Sequence, residues 1–569
     1  MRDMAQLRIP SWRSCARVVV SLCIALSAAC GGARRLDGPT PTAPEDEALV
    51  YVNARVLTMD PAHPRARALR IAGGRITDVL DADPPASLSG RRIDLRGAAV
   101  LPGLVDAHLH LQSLGAADAE LDLDGARTLA EVLDRVRRAT TETPHPAWIR
   151  GHGWDQNDWS DHRGFPPREA LDRVAPGRLV WLERVDGHAV WVSPAVLALA
   201  NVDARTQDPP GGRVERNATG EPTGIFVDNA IDLVARHLPP PSADEVREAV
   251  RRGVSRCVRA GLTGVHDMGT TPESLAALRA LEREGALDLR VTAYLRAPED
   301  DDAFEAALAD PPDREGLLRV VGMKLFADGA LGSRGAALLA PYDDAPDSSG
   351  LLVAEPDVLA SRARTIHAAG YQLAIHAIGD RGVRVALDAI AAAQAADRSR
   401  RHRIEHAQVV APADFARFVE LGVVASMQPT HATSDMPWAE SRIGAERILG
   451  AYAWRTMLSR NVAVAFGSDA PVEGELPWLG VYSATTRQDP AGSPAGGWHP
   501  EQRLTIAEAL AAFTRGPAYA TGDERLHGVI RAGAVADLTV LDRDPTTVEP
   551  AELRTLRALR VVVAGRERQ

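Results

Sequence analysis

Lysine is all but missing from this chain. Of 65 basic residues in 569, Lys324 is the one lysine and the rest are arginine. Arginine stays charged at any accessible pH, whereas a buried lysine can lose its proton. Lys324 lies in the apolar run Val320-Val321-Gly322-Met323-Lys324-Leu325-Phe326, where burial favours the neutral amine. A neutral amine reacts with carbon dioxide to give a carbamate, a metal ligand with two oxygens. A single surviving lysine can also be an accident of composition, so the motifs around it must decide.

Cysteine is scarce too. Cys15, Cys23 and Cys30 crowd the N-terminus and Cys257 stands alone in the body of the chain, which excludes a disulfide framework. Cys257 falls in an amphipathic helical pattern and reads as a small core residue. There is no basic excess: the net charge is -11, which argues against general nucleic-acid binding. No apolar run reaches a comfortable membrane span. The longest candidate, Val18 to Ala29, has 12 residues and follows Arg2, Arg8, Arg13 and Arg17, the layout of an export signal. It ends Leu26-Ser27-Ala28-Ala29-Cys30-Gly31, similar to a bacterial lipoprotein cleavage box, although Leu stands four residues before the Cys and not three. The expectation is a signal peptide over 1–29, lipid on Cys30 and a flexible tether over 30–47 rich in proline. Gly31 lacks the aspartate of inner-membrane retention, so the expected location is the outer membrane, facing the periplasm. Ordinary signal cleavage is the alternative.

With 45% hydrophobic and 25% charged residues, the remainder can build a large core. Residues 48–98 read as short strands, with Gly73-Gly74 as a hairpin turn. Matching strands, Asp537 to Leu541 and Leu559 to Val563, lie near the C-terminus. Both ends together predict a composite β-sandwich over 48–98 and 526–567. The centre, 99–525, alternates amphipathic helices with short apolar strands. Ser242-Ala243-Asp244-Glu245 is a capping box opening one helix. Repeats of this kind predict a parallel sheet, and their number a closed (β/α)8 TIM-like barrel. Eight candidate strands end near His110, His266, Tyr294, Lys324, His376, His406, Gln428 and Asp469, where barrel active sites lie. Residues 115–240 break the repeat and read as an inserted subdomain over the barrel mouth.

His108-Leu109-His110 follows an apolar strand. Residues i and i+2 share a face, so both imidazoles can meet one metal. His376 and His406 each end a later strand, and Gly467-Ser468-Asp469 ends the last. Neutral imidazoles with a carboxylate suit Zn²⁺ and related divalent ions.

These motifs resemble the amidohydrolase superfamily, specifically its family 3 branch, which includes N-substituted formamide deformylases. The resemblance covers about residues 48–567. It is carried by Leu101-Pro102-Gly103-Leu104-Val105-Asp106-Ala107-His108-Leu109-His110, by Met323-Lys324-Leu325-Phe326-Ala327-Asp328-Gly329, and by Phe466-Gly467-Ser468-Asp469-Ala470-Pro471-Val472. Gly533 to Leu538 also looks like the family's closing strand, with Ala534 where a lysine is common. The resemblance implies a metal-bearing barrel plus the sandwich. It implies one divalent ion, expected to be zinc, on His108, His110 and Asp469. A second would lie on His376 and His406, bridged by carboxylated Lys324; a one-metal variant stays open. Asp469 would be the catalytic acid and base for an attacking hydroxide generated by the metals.

Weaker candidates are Arg184, Asp186 and His188, to orient substrate or stabilise an oxyanion, with a local structural cluster as the even alternative. Arg334 is a candidate to pair a substrate carboxylate, and Trp154 to shape the pocket. His266 reads as a buried barrel residue. The leading expectation is a metal-dependent hydrolase of a non-peptide amide or formamide C–N bond in a small molecule. A deaminase of heterocyclic amines and an inactive envelope binding lipoprotein are the alternatives. The membrane is met only through the lipid anchor, and a homodimer is left open.

Overall fold

A computed structural model describes residues 48–145 and 147–569. The expected signal segment, Cys30 and the tether before Ala48 lie outside the described residues. Among the described residues no helix is long and apolar enough to cross a membrane.

The centre is a barrel of eight parallel strands: β1 (Leu104–Leu109), β2 (Leu262–Thr270), β3 (Arg290–Arg296), β4 (Leu318–Phe326), β5 (Gln372–Ala377), β6 (Arg403–His406), β7 (Val424–Met427) and β8 (Val464–Phe466). Each strand pairs in parallel with the next. All eight expected strands are present, in the expected order. β8 and β1 close the ring at their C-terminal ends: Asp469 N donates to His108 O at 2.7 Å and His110 N to Ala470 O at 2.9 Å. The strands are buried on both faces, as near-continuous apolar runs require; in β4 only Phe326 has appreciable exposure.

Helices cover the barrel. Ala243–Arg259 opens on the capping box read in the sequence: the Ser242 side chain accepts from Glu245 N, and Glu245 reaches back to the Ser242 backbone. It buries Val246, Ala249, Val250, Val254 and Cys257 against the barrel. Burial pushes the Cys257 thiol well above its ordinary value, so this cysteine packs and does not react.

Strands within 49–102 and 538–567 build one sandwich. Its first sheet runs Arg75–Leu80, Ala68–Ala72, Leu49–Val52, Arg91–Asp94. Gly73 and Gly74, at φ +56° and +72°, form the tight turn between the first two. In the second sheet Ala99–Pro102 lies antiparallel to Leu538–Leu541, which pairs with Ala558–Val563. Tyr51, Val56, Leu69, Ile76, Val100, Leu538, Val540 and Val562 fill the space between.

The segment between β1 and β2 carries a six-stranded sheet of its own. Its order is Gly212–Arg216, Pro222–Asp228, Ala189–Val192, Val180–Arg184, Ile149–Trp154, Leu121–Asp122. This sheet, for which the sequence suggested no fold, brings His152, Asp155, Arg184, Asp186 and His188 to the cavity at the barrel mouth.

Candidate metal centre

Strand exits aim the chemistry. His406 and Asp469 both have positive φ, +69° and +65°, a conformation costly for side chains with a Cβ and characteristic of functional sites. Gly467 makes the second bend feasible, since a Cβ there would lie 2.4 Å from His108 N. The Asp106 carboxylate accepts from His108 N and Ser468 N, both at 3.0 Å, and ties the exits of β1 and β8 together.

The result is a cluster of imidazoles around one carboxylate. Asp469 Oδ1 lies 3.3 Å from His108 Nε2 and 3.2 Å from His110 Nε2. The rings of His108 and His406 are 4.8 Å apart, and those of His376 and His406 4.6 Å. Burial pushes Asp469 up, but His108 and His110 outweigh it and hold the carboxyl well below the usual range. Burial, with neighbouring positive charge, pushes His376 and His406 well below the ordinary imidazole value, so both are neutral.

A divalent metal fits this donor set. His108 Nε2 and Asp469 Oδ1 are buried and lack hydrogen-bond partners, and with His406 they present ligand atoms within 4.8 Å of one another. Three of the histidines are tethered at the ring nitrogen not needed for a metal. His108 Nδ1 bonds Glu405 Oε2 at 2.7 Å, His406 Nδ1 bonds Gln428 Oε1 at 2.9 Å, and His376 Nε2 faces Gly329 O at 3.4 Å. Metal-binding histidines characteristically carry such a partner on the other nitrogen.

Lys324 is 1% exposed and lines the same cavity as His110, His376, His406 and Asp469. Burial pushes its ammonium down to about 8, against the pull of Glu405 and Asp469. The cavity holds about 860 Å³, ample for a small molecule.

His188 also faces the cavity. Its Nδ1 bonds Asp228 Oδ1 at 2.7 Å, and its ring is 4.8 Å from that of His376. Burial lowers His188, but the Asp228 hydrogen bond and charge outweigh it and raise its pKa. Arg184 reaches the cavity already engaged: it pairs with Asp155 at 2.5 Å and with Asp186, and donates to Gln156 Oε1 at 2.9 Å. Two carboxylates neutralise it, so its part is to brace Asp155 and Asp186.

Two expectations are corrected. Trp154 does not shape the pocket wall. It is fully buried in the core of the inserted sheet, its indole donating to Leu182 O at 2.9 Å and packed on Trp159 and Trp191. Arg334 is not free for a substrate carboxylate; Asp344 takes it at 2.7 and 3.2 Å, and it lies outside the cavity lining. His266 is a buried barrel residue as read, accepting from Arg403 at 2.8 Å.

Four participants escaped the sequence reading. Glu405 immediately precedes His406, and its i−2 partner Arg403 was visible as a same-face pair. His431 follows β7; its ring stacks on that of His406 at 5.9 Å, and its Nε2 lies 3.7 Å from Asp469. Asp228 is remote in sequence, and no local pattern marks it.

Comparison with known proteins places the chain in a family. YtcJ of Bacillus subtilis (strain 168) is 33% identical over 480 residues, covering 83% of this chain and 89% of that protein. The N-substituted formamide deformylase of Arthrobacter pascens is 30% identical over 542 residues, covering 91% and 97%. The crystal structure of an uncharacterized metal-dependent hydrolase from Pyrococcus horikoshii OT3 superposes with a TM-score of 0.71 at 29% identity, over 88% of this chain and 99% of that one. The model of the amidohydrolase family matches residues 91–568, and on that span, with the barrel and the histidine–aspartate cluster in place, the chain belongs to the amidohydrolase family.

Proposed function

We propose that the protein hydrolyses a non-peptide amide or formamide C–N bond of a small molecule, using divalent metal held by His108, His110, His376, His406 and Asp469, with zinc the favoured ion. The observation that carries this reading is the pair of unpartnered buried ligand atoms, His108 Nε2 and Asp469 Oδ1, the second belonging to a residue that lines the cavity. Bound there, a divalent ion supplies Lewis-acid activation of water and of a substrate carbonyl.

The chain's own residues do the rest. Asp469, carboxylate at neutral pH, takes the proton released when water attacks and returns it to the leaving nitrogen. The attacking oxygen bonds to the carbonyl carbon, the C–N bond breaks, and the amine leaves with that proton. His188, anchored by Asp228, turns its Nε2 to the cavity as a hydrogen-bond partner for the substrate. Lys324 reacts as the neutral amine with carbon dioxide: nitrogen bonds to carbon, one proton leaves, and the side chain becomes an anionic carbamate that would supply oxygen ligands to a pair of ions.

The test is metal analysis paired with turnover of a panel of N-formyl and N-acyl amines, with Asp469→Asn alongside. Amine release from the panel, abolished by chelation and strongly reduced in the variant, supports the reading. Ammonia release from nitrogen heterocycles alone would replace it with a deaminase, and full turnover in Asp469→Asn would remove Asp469 from the chemistry.

A further inference from the structure

Beneath the ligand cluster lies a wholly buried ion pair that the proposed chemistry does not use. Arg403, Glu405 and His108 are all 0% exposed. Arg403 Nε donates to Glu405 Oε1 at 2.5 Å and Nη2 to Glu405 Oε2 at 2.9 Å. The same guanidinium donates to Ala107 O at 2.6 Å, Ser426 Oγ at 2.6 Å and His266 Nδ1 at 2.8 Å. It thus spans β1, β2, β6 and β7 from inside the barrel. Glu405 Oε2 then accepts a hydrogen bond from His108 Nδ1 at 2.7 Å.

A desolvated charge pair needs good geometry and further hydrogen bonds to be tolerated, and this one has both. Its placement also has a chemical result. An ionised carboxylate only accepts, so the hydrogen of a neutral His108 must sit on Nδ1. The lone pair is then on Nε2, the atom turned toward Asp469. A ring with the opposite tautomer would aim an N–H at the metal position.

We propose that Glu405, clamped by Arg403, is the positioning residue that selects the ligand tautomer of His108 and so sets the metal affinity of the centre. The inference rests on His108 being a metal ligand. Because Glu405 adjoins His406 in the strand, one short segment supplies both a ligand and the orienting anion for a ligand on β1. Arg403 makes this anion part of the barrel core, so metal affinity is tied to the packing of four strands.

The experiment measures zinc affinity of the purified full-length protein by competition with a chromophoric chelator. The variants are Glu405→Gln, Glu405→Asp and His108→Asn, with ¹⁵N NMR of the metal-free protein to report the His108 tautomer. Loss of an orienting partner weakens metal binding by about 10- to 100-fold, and that loss is expected for Glu405→Gln, together with a shift of His108 away from the Nδ1–H form. Glu405→Asp, which keeps the charge, is expected to recover part of it. Since Glu405→Gln leaves Arg403 without its counter-charge, the double variant Arg403→Met/Glu405→Gln is measured as well, and it should show the same loss in a folded protein. Wild-type affinity in a folded Glu405 variant, with His108→Asn impaired, would overturn the positioning role. Wild-type affinity in His108→Asn would instead overturn the ligand assignment beneath it.

Discussion

Gly329→Ala tests the link between the inserted sheet and the barrel. A Cβ at Gly329 would lie 2.3 Å from Asp228 Oδ2 and 2.4 Å from Oδ1. Ordinary carbon–oxygen contact needs about 3.3 Å, so the carboxylate must retreat by about 1 Å. It has little room, because the Gly335 backbone packs on it from another side, so closely that a Cβ added there would lie 2.4 Å from Oδ2. The Asp228 backbone is also fixed, at φ +51° and through its N–H to His188 O at 3.0 Å. The movement is therefore taken up by the 2.7 Å bond to His188. Overpacking of this size destabilises by about 1–3 kcal/mol, and misplacing a substrate-facing group by about 1 Å can cost about 100-fold in rate. The assay is kcat and KM on the substrate found in the amide panel, with zinc content and melting temperature measured in parallel. The expected result is a folded protein with normal metal content and kcat lowered by about 100-fold, matched by His188→Gln. A Gly329→Ala enzyme within threefold of wild type would refute the reasoning, since neither the clasp nor His188 would then govern turnover.

Lys324→Arg replaces an amine that can become an anion with a permanent cation, so metal stoichiometry by elemental analysis should fall and turnover should be lost; Lys324→Ala supplied with a short carboxylic acid should regain a little of both. Full metal content and activity in the Lys324→Arg variant would exclude a carbamate bridge. Cys30→Ser should move the protein from the membrane fraction to the soluble fraction with its melting temperature unchanged, and an unlipidated native protein beginning elsewhere would end the anchor proposal. Burial raises the Asp537 carboxyl, but Arg290 and His527 outweigh it and hold it below its ordinary value. The resulting stability is fully present above the unfolded value of about 3.9 and is lost as pH falls through the folded one. Asp537→Asn should therefore flatten the acid limb of the stability curve, and an unchanged acid midpoint would argue against this pairing.

The barrel was legible because periodicity reports it directly: each strand is a short apolar run with a polar residue at or near its end, and most follow an amphipathic helix. His108, His110, Lys324, His376, His406 and Asp469 were legible because strand ends in a parallel barrel gather at one mouth. Trp154 and Arg334 were misplaced for a common reason. Sequence neighbourhood placed them near the site, but side chains adjacent in sequence point to different surroundings, and Asp155, next to Trp154, took the cavity. Glu405 and Asp228 were not legible as participants because their meaning lies in partners 297 and 40 residues away. The fold of the inserted sheet was hidden by its mixed pairing, which combines parallel and antiparallel neighbours.

The composite sandwich has a consequence for the growing chain. The Leu104 backbone N–H donates to the Thr539 hydroxyl, 435 residues further on, and Ala99–Pro102 waits as long for Leu538–Leu541. Until the last strands emerge, the strand leading into β1 keeps one unpaired edge, an invitation to association with other chains. Arrival of Leu538–Leu541 is then itself the step that caps this edge. A chain broken off before Leu538 would hold the barrel strands and every proposed metal ligand yet keep a sticky flank, so translation of that strand acts as a seal on the barrel's edge.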